Sequence, residues 1–239
     1  MKYLDRTLRT AQENLACDEA LLDGCEEGDP DEILRFWEPR QHFVVLGYSN
    51  KARAEVNLDA CQALGIPVLR RCSGGGTVLQ GPGCLNYALI LRIREGSAME
   101  NITEANAFIM NRNRNALNSL LDGPVLIQGH TDLTLHGLKC SGNSQRRRRR
   151  FLLFHGSFLL HLDLALVEQV LRLPSKQPSY RRNRAHKDFL TNLPLKADAV
   201  KEAMKQVWDA TDVLEEVPEE RIECLVHEKY ARDEWNLKF

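Results

Sequence analysis

No stretch of the 239 residues is apolar for long enough to cross a bilayer, and Met1–Thr10 is charged and lacks the apolar core of a secretion signal. Both absences lead to the expectation of a cytoplasmic protein without a membrane partner. No Cys-x-x-Cys pair occurs. The seven cysteines, Cys17, Cys25, Cys61, Cys72, Cys84, Cys140 and Cys224, are odd in number. Neither a disulfide framework nor a zinc site is therefore expected, and most of these thiols read as packing residues. Net charge is also missing: 32 Lys and Arg against 33 Asp and Glu leave −1, which argues against a dedicated nucleic-acid binder. There is no internal repeat, no dividing linker, and neither G-x-x-x-x-G-K-[ST] nor G-x-G-x-x-G.

What is present suffices for one sizeable core, with 43% hydrophobic residues. Thr10-Ala-Gln-Glu13 has the form of a capping box and opens a helix expected to reach about Gly24. Asn57 suits the cap of a short helix ending at Gly65, and Thr103–Leu121 carries an apolar face at helical spacing. Leu164–Arg172 and Lys196–Asp209 also read as helices. Strands are expected at Glu32–Trp37, His42–Leu46, Pro67–Arg71, Asn86–Arg92, Val125–Gln128 and Asp132–Leu135, the last followed by a tight turn at His136-Gly137. Phe151–Leu162 reads as two strands broken near His155-Gly156. Strands and helices without regular alternation predict an α+β fold.

Charge is unevenly spread. Arg146–Arg150 is a run of five arginines, Arg181, Arg182 and Arg184 form a second basic cluster, and Glu215–Glu223 is acidic. The run reads as a mobile solvated loop, either without function or docking an acidic acceptor domain.

Two segments suggest chemistry. Arg70-Arg71-Cys72-Ser73-Gly74-Gly75-Gly76-Thr77-Val78 follows an expected strand. Its glycines let backbone N–H groups approach an anion, and its arginines suit phosphate oxygens. A flexible loop with solvated arginines has the same composition. In Gly137-Leu138-Lys139-Cys140-Ser141-Gly142-Asn143 a hairpin presents one lysine beside a Ser-Gly turn. Such a cation could bridge an acyl carbonyl and a phosphate, or be an ordinary exposed lysine.

Taken together and in this order, the two segments resemble the lipoate–protein ligase A family, a branch of the biotin and lipoate ligase superfamily. Arg70-Arg71-x-Ser73-Gly74-Gly75-Gly76-x-Val78 is similar to its nucleotide signature. Lys139-x-Ser141-Gly142 is similar to its catalytic-lysine motif and His155-Gly156 to the following His-Gly. Asn86, Thr191-Asn192-Leu193, Lys229-Tyr230 and Trp235-Asn236 extend the resemblance over nearly the whole chain. Two departures stand out: His130-Thr131 replaces a frequent arginine-asparagine pair, and Gln80-Gly81-Pro82-Gly83 replaces His-Asp-x-Gly.

The resemblance implies a mixed sheet flanked by helices, of the biotinyl/lipoyl ligase type and related to class II aminoacyl-tRNA synthetase cores. It implies a single catalytic domain over residues 1–239, the family's C-terminal accessory domain being absent and supplied, if at all, by a separate protein. The reaction implied joins lipoate, or octanoate, and ATP with Mg²⁺ into an acyl-adenylate. The acyl group then passes to a lysine of an acceptor, a lipoyl domain of a 2-oxoacid dehydrogenase E2 or the glycine-cleavage H protein. Lys139 would be catalytic. Arg70, Arg71, Ser73, Gly74, Gly75, Gly76, Thr77, Val78, Leu79 and Asn86 would join it in holding ATP or adenylate. The lipoyl group would meet Gly47, Gly75, Lys139, His155 and Gly156, with Val44, Val45 and Leu46 lining its slot, and Asp132 would face Mg²⁺.

Two other readings stand beside this one. An octanoyltransferase would hold the acyl group as a cysteine thioester, in relatives on a thiol within the segment matching Gly123–Gly129, where this chain has none. Cys140 is the nearest in sequence to Lys139, but in an extended segment its side chain points to the opposite face. A non-catalytic lipoyl-binding protein is the other.

Overall fold

Alternating side chains on three long strands divide the molecule into two sides. In the computed structural model, which describes residues 1–239, eight strands form one sheet: β1 (Lys2–Asp5), β2 (Ile33–Trp37), β6 (Cys84–Arg92), β7 (Val125–Gln128), β8 (Asp132–Leu135), β9 (Leu138–Arg147), β10 (Phe151–Leu159) and β11 (Asp212–Val213). Their order is β11-β1-β2-β6-β10-β9-β8-β7. The β11–β1 and β1–β2 pairs are parallel and the others antiparallel. Strands β3 (Phe43–Leu46), β4 (Val68–Arg70) and β5 (Val78–Gln80) form a second sheet in the order β4-β3-β5. This mixed topology is the α+β class that irregular alternation predicts.

Leu34, Phe36, Leu85, Tyr87, Leu89, Leu152, Phe154 and Phe158 point to one face of the large sheet. There they pack with the helices Ile102–Asn118 and Ala197–Val207. Ile33, Trp37, Ala88, Ile90, Phe151 and Leu153 point to the other face, under the helix Ala11–Glu27 and beside the small sheet. Period-two alternation on a sheet covered on both sides requires this partition. The capping box at Thr10 forms as expected: Glu13 N donates to Thr10 Oγ1 at 3.1 Å and Thr10 N to Glu13 Oε2 at 2.8 Å.

Two expectations are corrected. Phe151–Leu159 is one strand, paired along its length with β6 and β9 rather than broken at His155-Gly156. A side chain at Gly156 would collide with the Asn143 amide, so this glycine makes room for a neighbour and does not mark a break. Arg146–Arg150 is a loop only in part: Arg146 and Arg147 end β9, and Arg148–Arg150 form the short hairpin connection, where Arg148 N donates to Phe151 O. Three of the five guanidinium groups are tied down, Arg146 to Cys72 O, Arg147 to Met99 O and Arg148 to Asp23.

The helix Ala11–Glu27 buries carboxylates on its inner face, and each meets a cation from another element. Asp18 pairs with Arg35 of β2, Asp23 with Arg148 and Arg221, and Glu19 with Lys229. Arg35 is wholly buried and also donates to Asn14 O at 2.9 Å and Asn14 Oδ1 at 2.7 Å. Removing one partner of such a pair strands the other charge away from water. Arg35→Ala is therefore expected to lower unfolding stability by about 3–5 kcal/mol, read from urea denaturation.

Candidate active site

Lys139 owes its position to a bulge. The turn between β8 and β9 takes His136 at φ 52° and Gly137 at φ 78°, the signature of a tight hairpin. Leu133 then pairs with Ser141 but Thr134 with Lys139, which leaves Cys140 as one extra residue on β9. Strict alternation would put Lys139 and Gly142 on opposite faces. With the extra residue the lysine lies over Gly142, where an added Cβ would come within 2.9 Å of Nζ. Lys139 Nζ pairs with Asp132 Oδ1 at 2.7 Å, and Lys139 O accepts from Thr191 N at 2.9 Å. The same extra residue turns Cys140 into the core, fully buried, away from the lysine as the extended-strand expectation has it.

The glycine loop is held from within. Arg71 is buried and donates to Gly74 O and Gly76 O, the latter at 2.8 Å, and through Nε to Ser73 Oγ at 3.1 Å. Burial lowers its pKa to about 10, so it remains a cation at neutral pH. Because peptide units are planar and trans, carbonyls turned inward at Gly74 and Gly76 aim the next N–H groups, those of Gly75 and Thr77, the opposite way. Gly75 and Thr77 both line the cavity. Gly75 has φ 86°, and an added Cβ would lie 2.8 Å from Arg71 Nη2. Gly47 lets Gly75 O approach, since a Cβ on Gly47 would overlap that oxygen.

Arg70 does not face the cavity. It is fully buried, and it donates to Gly47 O, Tyr48 O and Asn50 O from Nη1 and to Trp235 O and Asn236 O from Nε. Five backbone carbonyls engage Nε and Nη1 of the guanidinium that sequence composition assigns to phosphate, and Nη2 is buried without a hydrogen-bond partner. Leu79 is likewise turned away: it pairs with Val44 and packs, with Leu46, into a third core. Val45 alone of the expected Val44–Leu46 slot lines the cavity.

That cavity, about 520 Å³, gathers Lys139, Arg71, Gly75, Gly76, Thr77, Val78, Asn86, Asp132, His155 and Gly156. Cross-strand rows carry much of its floor. Arg35, Ala88, His155 and Ser144 lie side by side across four strands, and Trp37, Asn86, Ser157 and Gly142 form the next row. In the first row His155 Nδ1 faces Asp18 Oδ2 at 3.3 Å, and Nε2 lies 2.5 Å from Ser73 Oγ. Ser73 is thereby fixed beneath the loop. Composition does not single out Asp18, Gln80, Ser157 and Tyr180. Gln80 Nε2 donates to Ser157 Oγ at 3.1 Å, which donates to Asn86 Oδ1 at 2.7 Å.

Asp132 lines the cavity with both carboxylate oxygens engaged. Its oxygens are taken by Lys139 and by Tyr180 OH, both at 2.7 Å, and no group of three or more His, Cys, Asp or Glu side chains could hold an ion. The thiols are equally closed. No cysteine lines the cavity, and burial pushes Cys72, Cys84 and Cys140 up to about 12.

A sequence model of the lipoyl protein ligase A/B catalytic domain matches residues 10–217. The octanoyltransferase LipM of Lysinibacillus sphaericus is 27% identical over 260 residues, covering 94% of this chain and 94% of LipM. An archaeal lipoate protein ligase of Thermoplasma acidophilum, described as bi-partite and together with its E2 lipoyl domain, superposes with a TM-score of 0.82 at 25% identity, covering 99% of this chain and 96% of that one. A lipoate-protein ligase A bound with ATP superposes at 0.78 with 27% identity, covering 99% of both chains. The mixed sheet with flanking helices is the fold of these ligase domains.

Thiol chemistry gives a direct check on the geometry. A thiol of pKa about 12 has only about 10⁻⁴ of its population as thiolate at pH 8. Cys224 is partly exposed, and its pKa is raised by a hydrogen bond with Glu228 and by burial. Ellman titration of the native protein at pH 8 should therefore find at most one reacting thiol, lost in Cys224→Ser, against all seven in urea.

Proposed function

The chain belongs to the lipoyl protein ligase A/B catalytic domain family, and from that premise we propose that it works as a lipoate–protein ligase, through an acyl-adenylate rather than a cysteine thioester. The observation that carries the choice is the orientation of the thiols. Covalent transfer needs a positioned, activated thiolate. The three cysteines nearest the cavity in sequence are buried, protonated and turned out of it. Lys139 and the glycine loop face it. Identity does not decide, since relatives named for either activity lie close to the same level.

In the first step a carboxylate oxygen of lipoate or octanoate attacks the α-phosphorus of ATP, and the bond to pyrophosphate breaks. The N–H groups of Gly75 and Thr77 offer donors to the phosphate, and Lys139 Nζ offers its charge to the acyl and phosphate oxygens. In the second step the deprotonated amine of an acceptor lysine attacks the acyl carbonyl carbon, the carbon–oxygen bond to phosphate breaks, and AMP leaves. Negative charge grows on the carbonyl oxygen in this step, and a cation preset beside it lowers the barrier. The floor of Val45, Trp37 and Leu15 suits the apolar part of the acyl chain. His155 and Gly156 lie beside it. The acceptor is a lipoyl domain, of an E2 subunit or of the glycine-cleavage H protein. A separate accessory protein completes closure over the adenylate, which water would otherwise hydrolyse.

Lys139→Ala is expected to reduce acyl transfer by at least about 10²–10³-fold while the circular dichroism spectrum stays that of the wild type. Near-normal transfer by the folded variant would remove the centre of the reading. Offered synthetic lipoyl-AMP, the wild-type chain should lipoylate an E2 lipoyl domain. Offered octanoyl carrier protein, it should gain no hydroxylamine-labile adduct by mass spectrometry, and such an adduct would move the assignment to a thioester transferase. Fast pyrophosphate release from free lipoate and ATP, with no second protein, would show that no accessory partner is needed.

A further inference from the structure

The basic cluster at Arg181, Arg182 and Arg184 has no part in the reaction derived above, and its environment reveals what it supports. Arg181 Nε donates to Arg184 O and Arg184 Nε to Arg181 O, each at 3.1 Å, and Arg184 Nη2 donates to Tyr180 O at 3.1 Å. Both guanidinium groups lie over the Phe189 ring, at 4.6 and 5.1 Å from its centroid. Tyr180 packs against the same ring at 5.2 Å and over Gly129, whose φ of 58° turns the chain between β7 and β8. Two of the arginines thus brace one turn around a tyrosine. The tyrosine hydroxyl donates to Asp132 Oδ2 at 2.7 Å, and the other oxygen of the same carboxylate pairs with Lys139 Nζ at 2.7 Å.

We propose that Tyr180 is a positioning residue for Lys139, acting through Asp132. The terminal torsion of an aspartate is broad and leaves the carboxylate plane loosely set. A hydroxyl on one oxygen fixes that plane, so the other oxygen holds Nζ at one place over Gly142. The segment that carries Tyr180 also brings Arg172, Lys176 and Pro178 to the cavity. The tyrosine therefore ties this segment to the carboxylate that holds the lysine. Without the hydroxyl, Asp132 keeps only the lysine of these two partners, and Nζ loses its fixed direction. The inference rests on Lys139 as the reacting centre but not on which acyl donor is used.

Tyr180→Phe keeps the ring and deletes the hydroxyl. Transfer to a lipoyl domain from synthetic lipoyl-AMP is expected to fall about tenfold in kcat with KM for the adenylate changed less than about twofold, the pattern of a lost transition-state interaction. Asp132→Asn should cost at least as much, and the double variant no more than Asp132→Asn alone, because both act through one carboxylate. A purely structural tyrosine would instead shift the urea midpoint and leave kcat unchanged, and that result overturns the proposal. Losses that multiply in the double variant overturn it as well. If the wild-type chain transfers from octanoyl carrier protein and not from lipoyl-AMP, the proposed ligase chemistry fails. The same cycle run with the working donor then still decides the role of Tyr180.

Discussion

A guanidinium buried among carbonyls governs the shape of this site. Arg71 lies out of water, and an isolated buried charge costs far more than a folded domain can spare. Its donors must therefore be met from within, and the oxygens of Gly74 and Gly76 and the hydroxyl of Ser73 meet them. Each carbonyl drawn inward turns the next N–H outward, so a cation hidden beneath the loop presents donors on its surface. Only glycine tolerates the two consequences: a left-handed residue at Gly75, and a contact between Gly75 O and the backbone of Gly47 that leaves no space for a side chain. Arg70 does the same for the turn Gly47–Asn50 and binds it to Trp235 and Asn236 near the end of the chain. The shape of the glycine loop and of the turn beside it thus depends on two arginines that bind backbone carbonyls.

The large sheet carries that loop on a polar strip within an apolar face. Asp18 reaches down from the helix Ala11–Glu27 to Arg35, and across to His155, which holds Ser73. Helix, sheet and loop are joined by groups that would each be costly to bury alone. Beyond them Tyr87 OH donates to Asn143 Oδ1 at 2.5 Å, and Asn113 and Trp208 extend the chain of bonds through the core behind the sheet. Burial raises the Tyr87 pKa, so it stays a neutral donor. Asn143, held this way, leaves room for no residue but glycine at 156, and the strand passes the cavity without a break.

Local patterns explain why part of this was legible. The capping box at Thr10, the hairpin turn at His136-Gly137 and the alternating strands are decided by neighbours within a few residues. The glycine loop and Lys139 declare themselves by residue type. Type alone cannot separate Arg70 from Arg71: adjacent arginines on a strand end point to opposite sides, and only the packing tells which side holds the cavity. The extra residue at Cys140 reverses the parity of β9, and no periodicity argument anticipates an insertion of one. Tyr180 is 41 positions from Lys139, and a contact at that range leaves no trace in composition. The run Arg146–Arg150 misleads because charge suggests solvent. Yet a long side chain on a strand or in its hairpin turn can carry its charge to a carbonyl or carboxylate nearby, as Arg147 and Arg148 do.

These positions bear on how one scaffold serves more than one acyl chemistry. With Arg71 committed to carbonyls, the loop turns backbone N–H groups toward a cavity that Lys139, Arg172, Lys176 and Arg181 also line, and Asp132 balances the charge of Lys139 in part. A cation balanced by one carboxylate is held in place yet can transfer its attraction to a more highly charged oxygen, since phosphate competes well for it in a partly desolvated cavity. Such an arrangement stabilises charge growing on an acyl oxygen whether the leaving group is a phosphate or a thiol. What separates adenylate from thioester chemistry is whether a thiolate opens on the same cavity. In this chain the thiols of Cys72, Cys84 and Cys140 lie instead in the apolar cores, where burial keeps them protonated.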